Sequence, residues 1–177
     1  MSDVIQGGDN ILERLHPYPS QITAAGLGEG EDFRQAFPEV SYIRIHAGGA
    51  LPFGDKEFDI ATANAVLEHV GSEAAQRHFI HELCRVANRV FIAVPNLFFP
   101  VEHHTGIPLA AWRDETFRVA CAITKKTEWT YPAQLILMSK PYLESLLPDR
   151  DAWQTGYTGL RLKVWSSNLY ASTVAPG

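Results

Sequence analysis

A glutamate and a histidine stand side by side near the end of the stretch FDIATANAVLEHV, residues 58–70. Glu68 and His69 follow an apolar run that reads as a buried strand, so both emerge where a strand gives way to a loop. An imidazole, whose ordinary pKa is about 6.5, can take a proton at neutral pH, which makes His69 a candidate general base for an oxygen or nitrogen nucleophile. Glu68 could line the same channel. The plainer alternative is that Glu68 caps the next turn and His69 packs under the sheet. Asn64, directly after the run, has an amide that can hydrogen-bond a ligand or cap the turn.

A second group lies in FFPVEHHTGIP, where Glu102, His103, His104 and Thr105 share a proline-bounded segment. They could face a substrate, His104 among them as a catalytic candidate, or tie the loop down through Glu–His hydrogen bonds. Adjacent residues rarely reach one ion and no further ligand has suitable spacing, so no metal is expected. In RHFIHELC, His78, His81 and Cys84 recur three apart. Cys84 shares the apolar stripe of a helix, whereas His78 and His81 lie with Glu82 and Arg85 on its polar side, which reads as a solvated face. Trp112, Phe117 and Trp129 could cover a pocket or simply fill a core.

These residues need elements to position them. Asp9 or Asn10 can cap a short helix through Leu15, stopped by the prolines at 17 and 19. Ile22 to Leu27 reads as a strand, Asp32 to Ala36 as a short helix, and Val40 to Ile45 as a second strand. Phe58 to Ala63 is a third, apolar on both faces as covered parallel strands tend to be. Ser72 or Glu73 opens a helix with Phe79, Ile80, Leu83, Cys84 and Ala87 at helical spacing. Arg89 to Val94 is a fourth strand, and 98–130 is irregular and aromatic. Lys140 to Leu147 is a helix, and Leu160 to Val164 and Asn168 to Ser172 are two closing strands. Alternating strands and helices predict an α/β three-layer sandwich with a mostly parallel, Rossmann-like sheet, whose ligands sit beyond the carboxyl ends of the strands. Glu68–His69 and Pro95–Asn96 fall just past such ends.

The 177 residues, 46% of them hydrophobic, suit one domain spanning 1–177. A net charge of −5, with no basic run beyond Lys125–Lys126, gives no footprint for nucleic acid or an anionic membrane. No apolar stretch approaches the roughly 18 residues that span a bilayer, and the start MSDVIQGGDN lacks a basic region followed by an apolar run. A cytoplasmic location is expected. Cys84 and Cys121 have no CxxC spacing and read as reduced thiols. The partner is then a small molecule or another protein.

The segments LPFGDKEFDIATANAVLEHV and ELCRVANRVFIAVPN resemble those of class I S-adenosylmethionine-dependent methyltransferases, of the type 11-like group. VGS…Q, PNLFFPVEHHT and WSSNL extend the likeness over about residues 9 to 172. The resemblance implies S-adenosylmethionine as cofactor and methyl transfer to a small-molecule acceptor, such as a saccharide or lipid intermediate. Glu68, His69 and His104 would be on the reacting side. Gly26, Gly28, His46, Ala47, Leu51, Asn64 and Ala65 would line the cofactor. Such chemistry asks the protein mainly to align nucleophile and methyl group.

The sequence departs from the family pattern at its start. The family's first strand ends in a glycine-rich loop, and upstream of Asp9 there is only MSDVIQGG, so a shortened first strand is expected. ITAAGLGEG supplies a GxGxG at Gly26, Gly28 and Gly30, but only about 30 residues separate it from Phe58, too few for the usual intervening elements, so Ile22 to Leu27 reads as the family's second strand. The acid expected at that strand's end is absent, with Glu29 nearest, and His46–Ala47–Gly48 stands where an adenine-facing acid is common. The rival reading is therefore a non-catalytic binding or accessory protein of the same fold. A missing strand would leave a gap for residues 3 to 8, for direct closure of its neighbours, or for a second copy, so a homodimer is expected.

Overall fold

The computed structural model describes residues 10–101, 114–131, 135–162 and 165–173. It divides into two compact units, Met1–Pro52 and Phe53–Gly177.

In the first unit a short helix, α1 (Ile11–Leu15), ends where the His16 amide donates to the Leu12 carbonyl, just before Pro17. Asn10 precedes it in a left-handed conformation with no side-chain cap, and Asp9, the alternative cap, lies outside the described residues. Strand β1 (Thr23–Gly26), helix α2 (Glu31–Ala36) and strand β2 (Ser41–Arg44) follow, each within two residues of its expected bounds. The strands pair in parallel from Thr23 opposite Ser41 to Gly26 opposite Arg44, the arrangement a strand–helix–strand unit imposes.

The second unit holds β3 (Phe58–Asn64), α3 (Glu73–Val86), β4 (Ala87–Pro95), α4 (Asp114–Ile123), α5 (Lys140–Leu146), β5 (Trp153–Leu162) and β6 (Trp165–Thr173). Its sheet runs β3-β4-β6-β5. Only β3 and β4 are parallel; β6 is antiparallel to both β4 and β5. The expectation of a mostly parallel sheet is thus corrected to a mixed one. Two residues separate β5 from β6, a connection that can join only antiparallel neighbours. β5 also starts at Trp153, earlier than the expected Leu160.

Ala63, Val90, Ile92, Val94, Leu169 and Ala171 are buried on one face of this sheet, with Ile80, Leu83, Leu143 and Leu146 of α3 and α5. The other face is more open: Ile60 is 58% exposed and Phe91, stacked on Tyr170, is 38% exposed. Among the described residues of this unit, the helices cover one face of β3.

Two ends of α3 are fixed by side chains. Ser72 Oγ accepts from the Ala75 amide at the start, as the sequence led one to expect. At the finish Lys56, left-handed with φ 55, donates from Nζ to the carbonyls of Cys84 (2.6 Å) and Ala87 (2.9 Å) and from its amide to Arg85 (2.8 Å). Arg85 returns the contact, donating to the Phe53 carbonyl and to Asp55. The turn in LPFGDKEF is thus a cap that places a cation at a helix C-terminus.

Candidate functional site

β3 delivers its chemistry at its carboxyl end. Asn64 is the last strand residue and is exposed. Ala65 takes φ 53 and donates its amide to the Ala93 carbonyl at 2.9 Å, so the chain swings off the sheet in a conformation few non-glycine residues adopt. A 3-10 turn, Leu67–His69, follows at once.

Within that turn the neighbours part. The Glu68 side chain is 2% exposed and the His69 side chain 35%, with His69 Nε2 3.9 Å from Glu68 Oε1. His69 is thus the more open of the two, and the pair stands close enough for charge attraction but not for a hydrogen bond. The His69 ring lies 6.1 Å from that of Trp129, centre to centre and tilted by 57°. Trp129 belongs to a small second core built on Phe117, Cys121 and Leu135. Of the aromatic residues set between pocket and core, Phe117 is core and Trp129 reaches the site.

The turn's backbone is held from outside. Gln76 Nε2 donates to the Leu67 carbonyl at 2.9 Å, and the Ile136 amide to the Glu68 carbonyl at 2.8 Å. Gln76 was not singled out as a site residue, although its place four residues before Ile80 and seven before Leu83 puts it on the apolar stripe. A glutamine there signals a buried amide that needs partners.

At the end of β4, Asn96 is buried, donates from Nδ2 to the Ser166 carbonyl at 2.9 Å, and accepts from the Phe98 amide. Its own amide donates to the Ser167 carbonyl. The PN and WSSNL segments, far apart in the chain, therefore meet beside the site.

In the first unit, Gly26, Gly28, His46 and Ala47 gather at the carboxyl ends of β1 and β2, where the Ile45 amide donates to the Gly26 carbonyl. His46 and Ala47 are exposed, and Leu51 is buried. The Tyr42 hydroxyl donates to the Gly28 carbonyl at 2.9 Å. A Cβ at Gly26 would lie 2.5 Å from that hydroxyl, and one at Gly30, where φ is 70, would strike the same ring. These glycines make room for Tyr42. With Tyr42 against them, Gly26 and Gly30 leave no open cradle for a methionine-bearing cofactor.

Glu102, His103, His104, Thr105 and Trp112 lie outside the described residues. His78 and His81 are exposed on α3, and Cys84 is half-buried, its thiol pKa raised by burial and lowered by Lys56. Among the described residues no cluster of three or more His, Cys, Asp or Glu could hold a metal ion, and no helix is long and apolar enough to cross a membrane.

Comparison with known proteins gives this geometry a class. Residues 7–89 match the family model of a methyltransferase domain. A SAM-dependent methyltransferase of Methanosarcina mazei superposes with a TM-score of 0.53 at 14% identity, over 85% of this chain and 79% of that one. One from Aquifex aeolicus gives 0.50 at 14%, over 86% and 68%. LepI in complex with SAM gives 0.55 at 11%, over 93% of this chain and 39% of its own. No curated protein matches the chain. The fold is the Rossmann-like fold of methyltransferases. The resemblance to the class I S-adenosylmethionine-dependent family, read from the sequence, is borne out by the domain match and these neighbours.

Proposed function

We propose that the chain is a methyltransferase that takes S-adenosylmethionine as donor and a small-molecule acceptor, a saccharide or lipid intermediate being the class in view. The observation that carries the reading is the methyltransferase-domain match over 7–89, a span that includes the strand end bearing Asn64, Glu68 and His69. When bound, the cofactor supplies a sulfonium-activated methyl group. In the second unit, Asn64 and Ala65 would contact it. His69 would accept the proton that the nucleophile releases, at Nε2 or Nδ1, while the buried Glu68 keeps the ring oriented. Trp129 would exclude water from one side of the imidazole. His104 is retained as a second substrate-side candidate.

Isothermal titration with S-adenosylhomocysteine tests the reading; one-to-one binding supports it, and no heat at millimolar ligand overturns it. A second reading has its own support. Tyr42 fills the space beside Gly26 and Gly30, which favours a binding or accessory protein that keeps the fold without the glycine cradle. Turnover with any acceptor would rule that out.

A further inference from the structure

Gln76 is fully enclosed on the buried side of α3. An amide in such a place is costly unless both of its ends are hydrogen-bonded. Both are. The Tyr142 hydroxyl donates to Gln76 Oε1 at 2.8 Å, and Gln76 Nε2 donates to the Leu67 carbonyl at 2.9 Å. Tyr142 stands in the first turn of α5, whose N-cap Ser139 accepts from the Tyr142 amide. Burial pushes the Tyr142 phenol above its ordinary pKa, Glu73 adds to the rise and Arg77 opposes it, so the hydroxyl keeps its proton at neutral pH. With Oε1 accepting, the amide has only its NH2 left to give. The direction of the chain is therefore fixed from Tyr142 through Gln76 to Leu67.

The carbonyl at the end of this chain opens the turn that carries Glu68 and His69. The turn's own bonds are two, from the His69 amide to Val66 and from the Val70 amide to Leu67, at 2.9 and 3.3 Å. So short a turn sets its curl but not its heading. Among the described residues the backbone of the turn is held from outside at three points: β4 holds the Ala65 amide, Gln76 holds the Leu67 carbonyl, and Ile136 holds the Glu68 carbonyl. Of these, Gln76 alone is a side chain, and it is the one that links the turn to α3 and α5 together.

We infer that Gln76 is the positioning residue of the Glu68–His69 turn, aiming it through the Leu67 carbonyl, with Tyr142 orienting the Gln76 amide. The inference rests on the reading of Glu68 and His69 as the reacting-side pair. Gln76 is fully enclosed, so its effect would reach the site through the Leu67 backbone.

Three variants of the full chain test it. Gln76→Met keeps the bulk and removes both hydrogen bonds. Tyr142→Phe removes only the orienting bond, which keeps the test open should Gln76→Met fail to fold. Val86→Ala, near the other end of α3, loosens the same helix without touching the chain of bonds. The readouts are hydrogen exchange at the His69 and Ile136 amides, the ring resonances of His69, and affinity for S-adenosylhomocysteine. Gln76→Met is expected to lower protection of both amides by about tenfold, the worth of one buried hydrogen bond, and Tyr142→Phe by less. Both should move the His69 ring resonances, and Val86→Ala should leave them in place. If Gln76→Met and Tyr142→Phe alter those amides and resonances no more than Val86→Ala does, the positioning role is overturned. Affinity separates the two claims: a wild-type chain that does not bind S-adenosylhomocysteine contradicts the functional reading, while the amides still decide the role of Gln76.

Discussion

The Asn96 side chain donates to the Ser166 carbonyl across 2.9 Å, joining the end of β4 to the start of β6. Both Asn96 and Ser166 are buried, and Asn96 Oδ1 also accepts from the Phe98 amide at 3.1 Å. The bond fixes the direction in which the chain leaves the carboxyl end of β4. Asn96→Ala should cost about 2–3 kcal/mol, because it leaves a buried carbonyl and a part-buried amide to find new partners. Urea denaturation measures it. Asn96→Asp should be no milder, since a carboxylate cannot donate to Ser166.

Lys56 gives a prediction about backbone and side chain together. Its ammonium caps α3 while its backbone sits at φ 55. Lys56→Ala loses the cap and keeps the strained backbone, a cost of about 1–2 kcal/mol. Lys56→Gly loses the cap but relieves the left-handed strain, and should be less destabilising by about 1 kcal/mol. Thermal melts of the two variants should therefore rank glycine above alanine.

Glu144 controls stability in acid. The Thr155 hydroxyl donates to its Oε1 at 2.6 Å, and Arg150 and Lys140 add attraction, so its carboxyl is held below the ordinary value of 4.5 even though partial burial opposes this. A carboxyl lowered in the folded state stabilises the fold above its unfolded pKa and loses that contribution as pH falls through the folded one. The loss thus falls below about pH 4.5. Thr155→Val removes the largest cause, so the difference in denaturation midpoint between wild type and variant should be clear at pH 7 and shrink toward pH 3. A difference that stays constant over that range would contradict this account.

His69→Asn probes the proposed base. With an accepted acceptor in hand, turnover should fall by about a hundredfold, within the range general-base groups contribute. Affinity for S-adenosylhomocysteine should change far less, because His69 is proposed to serve the nucleophile. An equal loss in both would make His69 a binding residue instead.

Much of this arrangement could be read from residue patterns. Phe58 to Ala63 was expected as a strand and β3 is Phe58–Asn64, because a continuous apolar run bounded by a turn leaves few alternatives. Ser72 fixed the start of α3 for the same kind of reason. β5 was legible only at its far end. Gln154, Thr155, Gly156, Thr158 and Gly159 break any apolar alternation, and the register shifts between Thr158 and Arg161. The turn at 67–69 was visible as a place for chemistry, but not the division of labour within it. Glu68 goes inward and His69 outward on a turn whose backbone carbonyls are held by Ile136, far along the chain, and by Gln76 on the next helix, contacts that no local pattern announces. The role of Tyr42 was likewise hidden. Glycines at GxG spacing look alike whether a ligand or the chain's own ring lies against them.

The central claim is that this fold binds the methyl donor's product. Calorimetric titration of the full chain with S-adenosylhomocysteine addresses it most directly. The account predicts saturable one-to-one binding in the micromolar range. No heat at millimolar ligand would contradict it and leave the non-catalytic reading of the fold.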